Sequence, residues 1–217
     1  MSTHLPARFR EIRTWVFDLD NTLYPPSSGL LDQVNVLMSE FIQQHLGVGE
    51  AEAVEIRQDL WLRYGTTLTG LMTEHGVEAD RFLQDTHAID LTCLPAQPDL
   101  ARALDALPGR CVIHTNGPRY HAERVLSALG LSGAFEQVVT LEDTGLRPKP
   151  AREAHEDAVR LLGLNPADAV MIDDMLRNLV VPAEMGMATV WLSHGESVDH
   201  SADVVVHDLA DLLARIS

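Results

Sequence analysis

Trp15-Val16-Phe17-Asp18-Leu19-Asp20-Asn21-Thr22 opens as a short apolar run and passes at once into acids, an amide and a hydroxyl. The run is too short for a helix and suits a strand buried on both faces. Five more such runs follow: Cys111-Val112-Ile113, Val138-Val139, Ala169-Val170-Met171-Ile172, Ala188-Thr189-Val190-Trp191-Leu192 and Val204-Val205-Val206. Between them lie amphipathic stretches at 99–107, 121–129, 151–162, 178–185 and 208–216. Strand and helix in alternation predict an α/β fold built on a doubly wound parallel sheet.

One long stretch breaks the alternation directly after the first strand. Leu30, Leu31, Val34, Leu37, Met38, Phe41, Ile42 and Leu46 keep the i, i+3, i+4 spacing of one helical face. Gly47 and Gly49 end that helix. A second helix is expected at 50–64, with Val54, Leu60, Trp61 and Tyr64 inward, and shorter ones near 68–75 and 79–87. Pro25-Pro26 precedes this block, and Pro95 and Pro98 follow it. Proline-bearing joints fix the angles at which a unit is inserted. The expected organisation is a catalytic core at 1–26 and 95–217 with a helical cap at 27–94.

The chain has 217 residues, 46% hydrophobic and 22% charged, a globular balance long enough to bury a core without disulfides. Its 32 acidic and 16 basic residues give a net charge of −16. Such a surface repels nucleic-acid polymers and anionic membranes, so a bound phosphate must be drawn into a local site. Cys93 and Cys111 are too few for a disulfide scaffold and read as buried thiols. No apolar run reaches the ~20 residues of a membrane span, and the first 13 residues hold no apolar signal segment. A soluble, cytoplasmic protein is expected. The ten histidines form no HExxH pair, which disfavours a zinc hydrolase. Of the 16 basic residues only Lys149 is a lysine.

In open α/β sheets the ligand crevice lies beyond the carboxyl ends of the strands. There the sequence places Asp18-Leu19-Asp20-Asn21-Thr22, His114-Thr115-Asn116-Gly117 and Asp173-Asp174, with Arg147-Pro148-Lys149-Pro150 before the 151–162 helix. Singly, each reads as a turn, a cap or a surface charge. Together they bring four carboxylates, a hydroxyl and a lysine to one sheet edge. Carboxylates so close oppose each other's ionisation. A hard cation relieves this, and Mg²⁺ characteristically combines one or two carboxylates with phosphate oxygens. The chemistry that fits is phosphoryl transfer on a small phosphorylated metabolite.

Asp18-Leu19-Asp20-Asn21-Thr22-Leu23, with Thr115, Lys149 and Asp173-Asp174 in that order, resembles the four-motif signature of the haloacid dehalogenase-like phosphohydrolases, whose core is Rossmann-like. Asp18 through Pro26, Tyr64 to Leu71 and His121 to Leu126 further resemble the pyrimidine 5′-nucleotidase branch. The resemblance implies Asp18 as nucleophile, forming an aspartyl-phosphate, and Asp20 as acid and then base. It implies Thr115 as donor to a phosphoryl oxygen, helped by amides around Asn116 and Gly117, and Lys149 as neutralising charge. Mg²⁺ is implied between the Asp18 side chain, the Asp20 carbonyl, Asp174 and the phosphate. One departure stands out: many members carry an acid five positions after the metal-binding Asp, where this chain has Leu179. Asp173 is the candidate for the missing charge.

Within that resemblance, Asp20 argues against a dehalogenase, which needs no acid there. The absence of lysine from 27–94 argues against phosphonate hydrolysis through a Schiff base. A phosphosugar mutase, another sugar-phosphate phosphatase and a non-catalytic phosphometabolite-binding module stay open. Arg177, directly after the Asp173-Asp174 loop, is a candidate substrate contact. Trp61 and Tyr64 read as cap core, Arg119 and Arg124 as solvated, and His121 as a surface cap of its helix, with closing the site as its alternative role. No pattern in the sequence specifies an oligomeric state.

Overall fold

The computed structural model describes residues 5–196 and 200–216; the first four residues of the N-terminal stretch lie outside it. Among the described residues six strands form one sheet: β1 (Thr14–Phe17), β2 (Arg110–His114), β3 (Gln137–Val139), β4 (Ala169–Asp173), β5 (Ala188–Leu192) and β6 (Val204–Val206). Their order is β3-β2-β1-β4-β5-β6, and every pairing is parallel. Side-chain alternation sorts the core into two layers. Trp15, Phe17, Cys111, Ile113, Val170 and Ile172 face one side. Val16, Val112 and Met171 face the other.

Helices cover both faces, as a parallel sheet requires. On the first pack α5 (Pro98–Asp105), α6 (Arg119–Leu129) and α9 (Leu209–Ile216), through Leu104, Val125, Leu129 and Leu212. On the second packs α7 (Arg152–Leu162), through Ala158 and Leu162. The stretch expected as one helix at 178–185 is a 3₁₀ turn, Leu176–Leu179, followed by α8 (Val180–Glu184). Pro182 lacks an N–H and fits only a helix's first turn, so α8 starts at Val180.

The helical block comprises α1 (Leu30–Leu46), α2 (Glu50–Tyr64), α3 (Thr67–His75) and α4 (Ala79–Thr86). It has its own apolar cluster around Ile42, Ala53, Leu60, Leu71 and Phe82. Leu30 and Val34 of α1 join the main core instead. Gly47, at φ 70°, ends α1 in the left-handed region, and its N–H closes on the Gln43 carbonyl. No described helix is long and apolar enough to cross a membrane.

One cysteine differs from its sequence reading. Cys111 is buried, but Cys93 is exposed. It sits in a polar turn where Asp90 accepts from the Thr92 N–H and hydroxyl, so no apolar layer covers it.

Candidate active site

The pairing register sets the site. Phe17 lies beside Ile113 on one side and Ile172 on the other, so β1, β2 and β4 end within one residue of each other. The residues at or just beyond their ends (Asp18, Thr115, Asp173 and Asp174) therefore meet at the switch point, where the strand order runs outward from β1 in both directions. With Asp20, Asn21, Asn116, Gly117, Lys149 and Arg177, these residues other than Asp173 line a cavity of about 460 Å³. The opposite wall comes from the helical block, including Met38, Arg57, Trp61 and Thr67.

Alternation in a continued strand would point Asp18 and Asp20 to opposite faces. The chain leaves the strand instead: the N–H groups of Thr22 and Leu23 both fold back onto the Leu19 carbonyl, and Asn21 takes φ 59°. Asn is among the few side chains that tolerate that conformation. Both carboxylates thus reach one cavity.

Lys149 is the charge centre. Nζ donates to Asp18 Oδ1 and to Asp173 Oδ2, each at 2.7 Å, and the side chain is 1% exposed. Its backbone is fixed by Asn116, which accepts from the Lys149 N–H at 2.8 Å and donates to the Lys149 carbonyl at 3.1 Å. Asn116, a candidate substrate contact by sequence, here braces the lysine. Asp173 is completely buried, with its oxygens engaged: Met175 N–H and the Asn178 amide bond Oδ1, while Lys149 and the same amide bond Oδ2. Leu179, where an acid was expected, is core. Its neighbour Asn178 is the residue that reaches the acidic pair.

Electrostatically the site is short of positive charge. Burial pushes the Asp18 carboxyl up; Lys149 opposes this, while Asp173, Asp174 and Asp20 add to it. Burial and then the charge of Asp173 push Asp174 to about 7. Burial would lower Lys149, but Asp173 and Asp18 outweigh it and hold the ammonium more firmly charged than usual. One ammonium thus faces several desolvated carboxylates, the imbalance that a divalent cation offsets. Ligand atoms of Asp18, Asp173 and Asp174 lie within 4.8 Å of one another. The donor set is all oxygen, which suits Mg²⁺. Asp18 and Asp174 line the cavity, whereas Asp173 is fully buried and does not, so Asp18 and Asp174 are the better-placed carboxylates.

Thr115 is buried, and its Oγ1 accepts from the Gly117 N–H at 2.9 Å. A Cβ at Gly117 would stand 3.1 Å from the His121 ring, 3.3 Å from Thr115 Oγ1 and 3.4 Å from Asp20 Oδ2. Glycine is what lets these three groups converge.

Several readings change here. His121 does not cap a helix surface: it is buried, with Nε2 2.8 Å from Asp20 Oδ1. Tyr24, also buried, donates its hydroxyl to the same oxygen. Burial would raise Asp20, but the charge and hydrogen bond of His121, with Tyr24, hold it below the ordinary carboxylate value. Trp61 is not cap core: it is 36% exposed, with the Arg177 guanidinium 4.0 Å from its ring centroid. Arg177 supplies the missing neighbour from the other side of the cavity and also donates to the Gly65 carbonyl at 3.2 Å. Tyr64 keeps its cap-core reading: half-buried, it packs against the apolar cluster of the helical block and donates to Glu74. Arg124 is not merely solvated, because it donates to the carbonyls of His87 and Ile89. Arg119 is exposed and paired with Asp143. The nucleotidase-like stretches Asp18–Pro26 and His121–Leu126 contain both Tyr24 and His121, but nothing in the sequence assigned either of them to Asp20.

Comparison with known proteins agrees with this architecture. The family profile of haloacid dehalogenase-like hydrolases matches residues 12–186. Human N-acylneuraminate-9-phosphatase is 25% identical over 223 residues, covering 90% of this chain and 88% of its own. A HAD phosphatase from Thermococcus onnurineus superposes with a TM-score of 0.66 at 21% identity, covering 93% of this chain and 96% of its own. The HAD-hydrolase YfnB from Bacillus subtilis, solved bound to magnesium, superposes at 0.61 with 22% identity, covering 94% and 98%.

Proposed function

Because the chain belongs to the haloacid dehalogenase-like hydrolases, we propose that it is a Mg²⁺-dependent phosphatase of small phosphomonoesters, with pyrimidine nucleoside 5′-monophosphates as its substrate class. The observation that carries the phosphatase reading is a second carboxylate, Asp20, in the same cavity as the lysine-paired Asp18. Two carboxylates, one to attack and one to move a proton, are what stepwise ester hydrolysis requires.

An Asp18 oxygen bonds to phosphorus as the bond to the ester oxygen breaks, and the departing oxygen takes the proton of Asp20. A phosphate dianion arriving beside Asp20 favours that protonated form. Asp20 then takes a proton from water as the water oxygen bonds to phosphorus and the Asp18–phosphorus bond breaks. Alcohol and inorganic phosphate leave, and both carboxyl groups return to their starting states. Lys149 neutralises Asp18 and the transferring group, and Thr115 offers its hydroxyl to a phosphoryl oxygen. Asp18, Asp174 and the Asp20 carbonyl would hold Mg²⁺, which when bound draws charge from the phosphoryl oxygens and offsets the carboxylates. Asp173 serves as the anchor of Lys149.

In this reading residues 27–94 are a cap whose side chains meet the leaving group. The cavity is within the ~300–1,000 Å³ of small-molecule sites. The pyrimidine assignment is supported by the likeness of Asp18–Pro26, Tyr64–Leu71 and His121–Leu126 to that branch. A second reading, a sugar-phosphate phosphatase, is favoured by the human relative that acts on N-acylneuraminate 9-phosphate.

The test is phosphate release from UMP, CMP, AMP, pyridoxal phosphate and several sugar phosphates by purified protein with Mg²⁺. Turnover should be highest on UMP or CMP and should disappear with chelator or with Asp18→Asn. A preference for sugar phosphates selects the second reading. An isomerised sugar phosphate without free phosphate would identify a mutase, and no turnover would leave a binding module.

A further inference from the structure

Asp20 is held by more than its own backbone. Its Oδ1 accepts from two buried donors, the Tyr24 hydroxyl and His121 Nε2 at 2.8 Å. Tyr24 is on the turn that carries the chain out of β1. His121 comes from the first turn of α6, the helix that follows β2. Beside His121 stands His87, which also lines the cavity, its ring edge-on with centroids 5.1 Å apart. His87 is itself fixed through Nδ1 to Thr86 Oγ1 and the Leu83 carbonyl. The other oxygen, Oδ2, lies on the side of Gly117 and Thr115, as the 3.4 Å approach to a Cβ at Gly117 requires.

The two oxygens of Asp20 are therefore not equivalent. Oδ1 is occupied by donors that come from two separate elements, so the carboxylate cannot rotate without giving up both bonds. Oδ2 lies towards Gly117, which lines the cavity. We infer that His121 is a positioning residue: with Tyr24 it fixes Asp20 so that Oδ2 delivers the proton to the leaving oxygen. The inference rests on the reading of Asp20 as acid given above. His121 touches neither phosphate nor leaving group in this role; it acts through the orientation of Asp20, and a 1 Å misplacement of such a group can cost 10²-fold.

A merely structural histidine would affect all substrates alike, whereas a positioning residue of the acid matters in proportion to the leaving group's need for a proton. The experiment measures kcat/KM, which includes departure of the leaving group, on UMP and ribose 5-phosphate (alkoxides) and on p-nitrophenyl phosphate (a stable phenolate). For His121→Ala the expected loss is about 30–100-fold on the alkyl esters and no more than about threefold on the aryl ester, a share of the 10²–10⁴ that acid catalysis supplies. His121→Gln, which keeps an N–H donor, should recover most of it. Tyr24→Phe should show the same selectivity more weakly, and it carries the test should His121→Ala not fold. Equal losses on alkyl and aryl esters would overturn the role of His121. Asp20→Asn is the control for the underlying reading: if it too loses equally on both, the acid assignment fails first.

Discussion

Lys149→Met removes one ammonium from between two carboxylates. Nζ bonds Asp18 and Asp173 at 2.7 Å, and Asp173 has no exposure at all. No other lysine exists to take its place. Breaking a buried pair by deleting one partner costs ~3–5 kcal/mol, because the remaining charge keeps its desolvation penalty. Here two carboxylates lose their partner, so the upper end is expected. Removing the second charge should return part of the loss: Lys149→Met/Asp173→Asn should be less destabilised than the two single variants summed, by a coupling of ~1–3 kcal/mol, the size found between contacting residues. Activity should not return with stability. Both variants should lose more than ~100-fold in kcat/KM, the scale of one preorganised electrostatic contact to the transition state. Lys149→Arg should recover little, since a planar fork does not replace a point charge on a backbone clamped by Asn116. The assay pairs urea unfolding in chelator, which removes any metal contribution, with kcat/KM in Mg²⁺. A double variant whose destabilisation equals the sum of the two singles would refute the argument, because the ammonium would then not be stabilising the fold by neutralising Asp173.

Two further outcomes follow from the buried polar groups. Burial lowers His155 to about 3 and His87 to about 4, against about 6.5 when unfolded. At these two groups the unfolded chain binds more protons between those values, so their contribution to stability is present above about pH 6.5 and is lost as pH falls towards 4, while Asp18 and Asp174, raised by burial in the fold, act with the opposite sign over the same range. Urea midpoints at pH 7.5 and 5.0 check this, and a His155→Gln variant whose stability falls as steeply as that of the natural protein would show that His155 is not responsible. Thr66 caps α3 by accepting from the Thr69 N–H, so Thr66→Ala should cost ~1 kcal/mol, or ~2–4 °C in Tm, with kcat/KM on UMP, AMP and p-nitrophenyl phosphate changed alike. A selective loss on one nucleotide would instead place the Thr66 hydroxyl at the substrate.

What was legible before the structure, and what was not, follows from the geometry of the two kinds of element. A strand in a parallel sheet has one direction and one end, so the residue after its last apolar position is placed by counting. That is why Asp18, Thr115 and Asp173-Asp174 could be brought to one edge from sequence order alone, although the convergence of Asp18 and Asp20 needed the turn at Asn21. The helical block was also legible, because spacing of i, i+3 and i+4 depends only on the chain's own residues.

Helical side chains aimed at the site were less legible for a physical reason. Each residue advances the helix by about 100°, and periodicity says which face is buried without saying what buries it. His121 stands in the buried face of α6 beside Ala122 and Val125, yet what covers it is a carboxylate, 101 positions away in sequence, together with His87. Trp61 kept a core spacing in α2, yet its ring meets a guanidinium from the 3₁₀ turn that follows β4. Leu179 broke an expected acidic position, and Asn178, one residue earlier, supplied the contact from a 3₁₀ turn whose pitch differs from that of a helix. Polar residues on apolar helix faces are thus the places where a local pattern identifies burial but only the fold supplies the partner. In this chain one such partner is the carboxylate proposed to move the proton, so the part least readable from the sequence bears directly on the acid–base step.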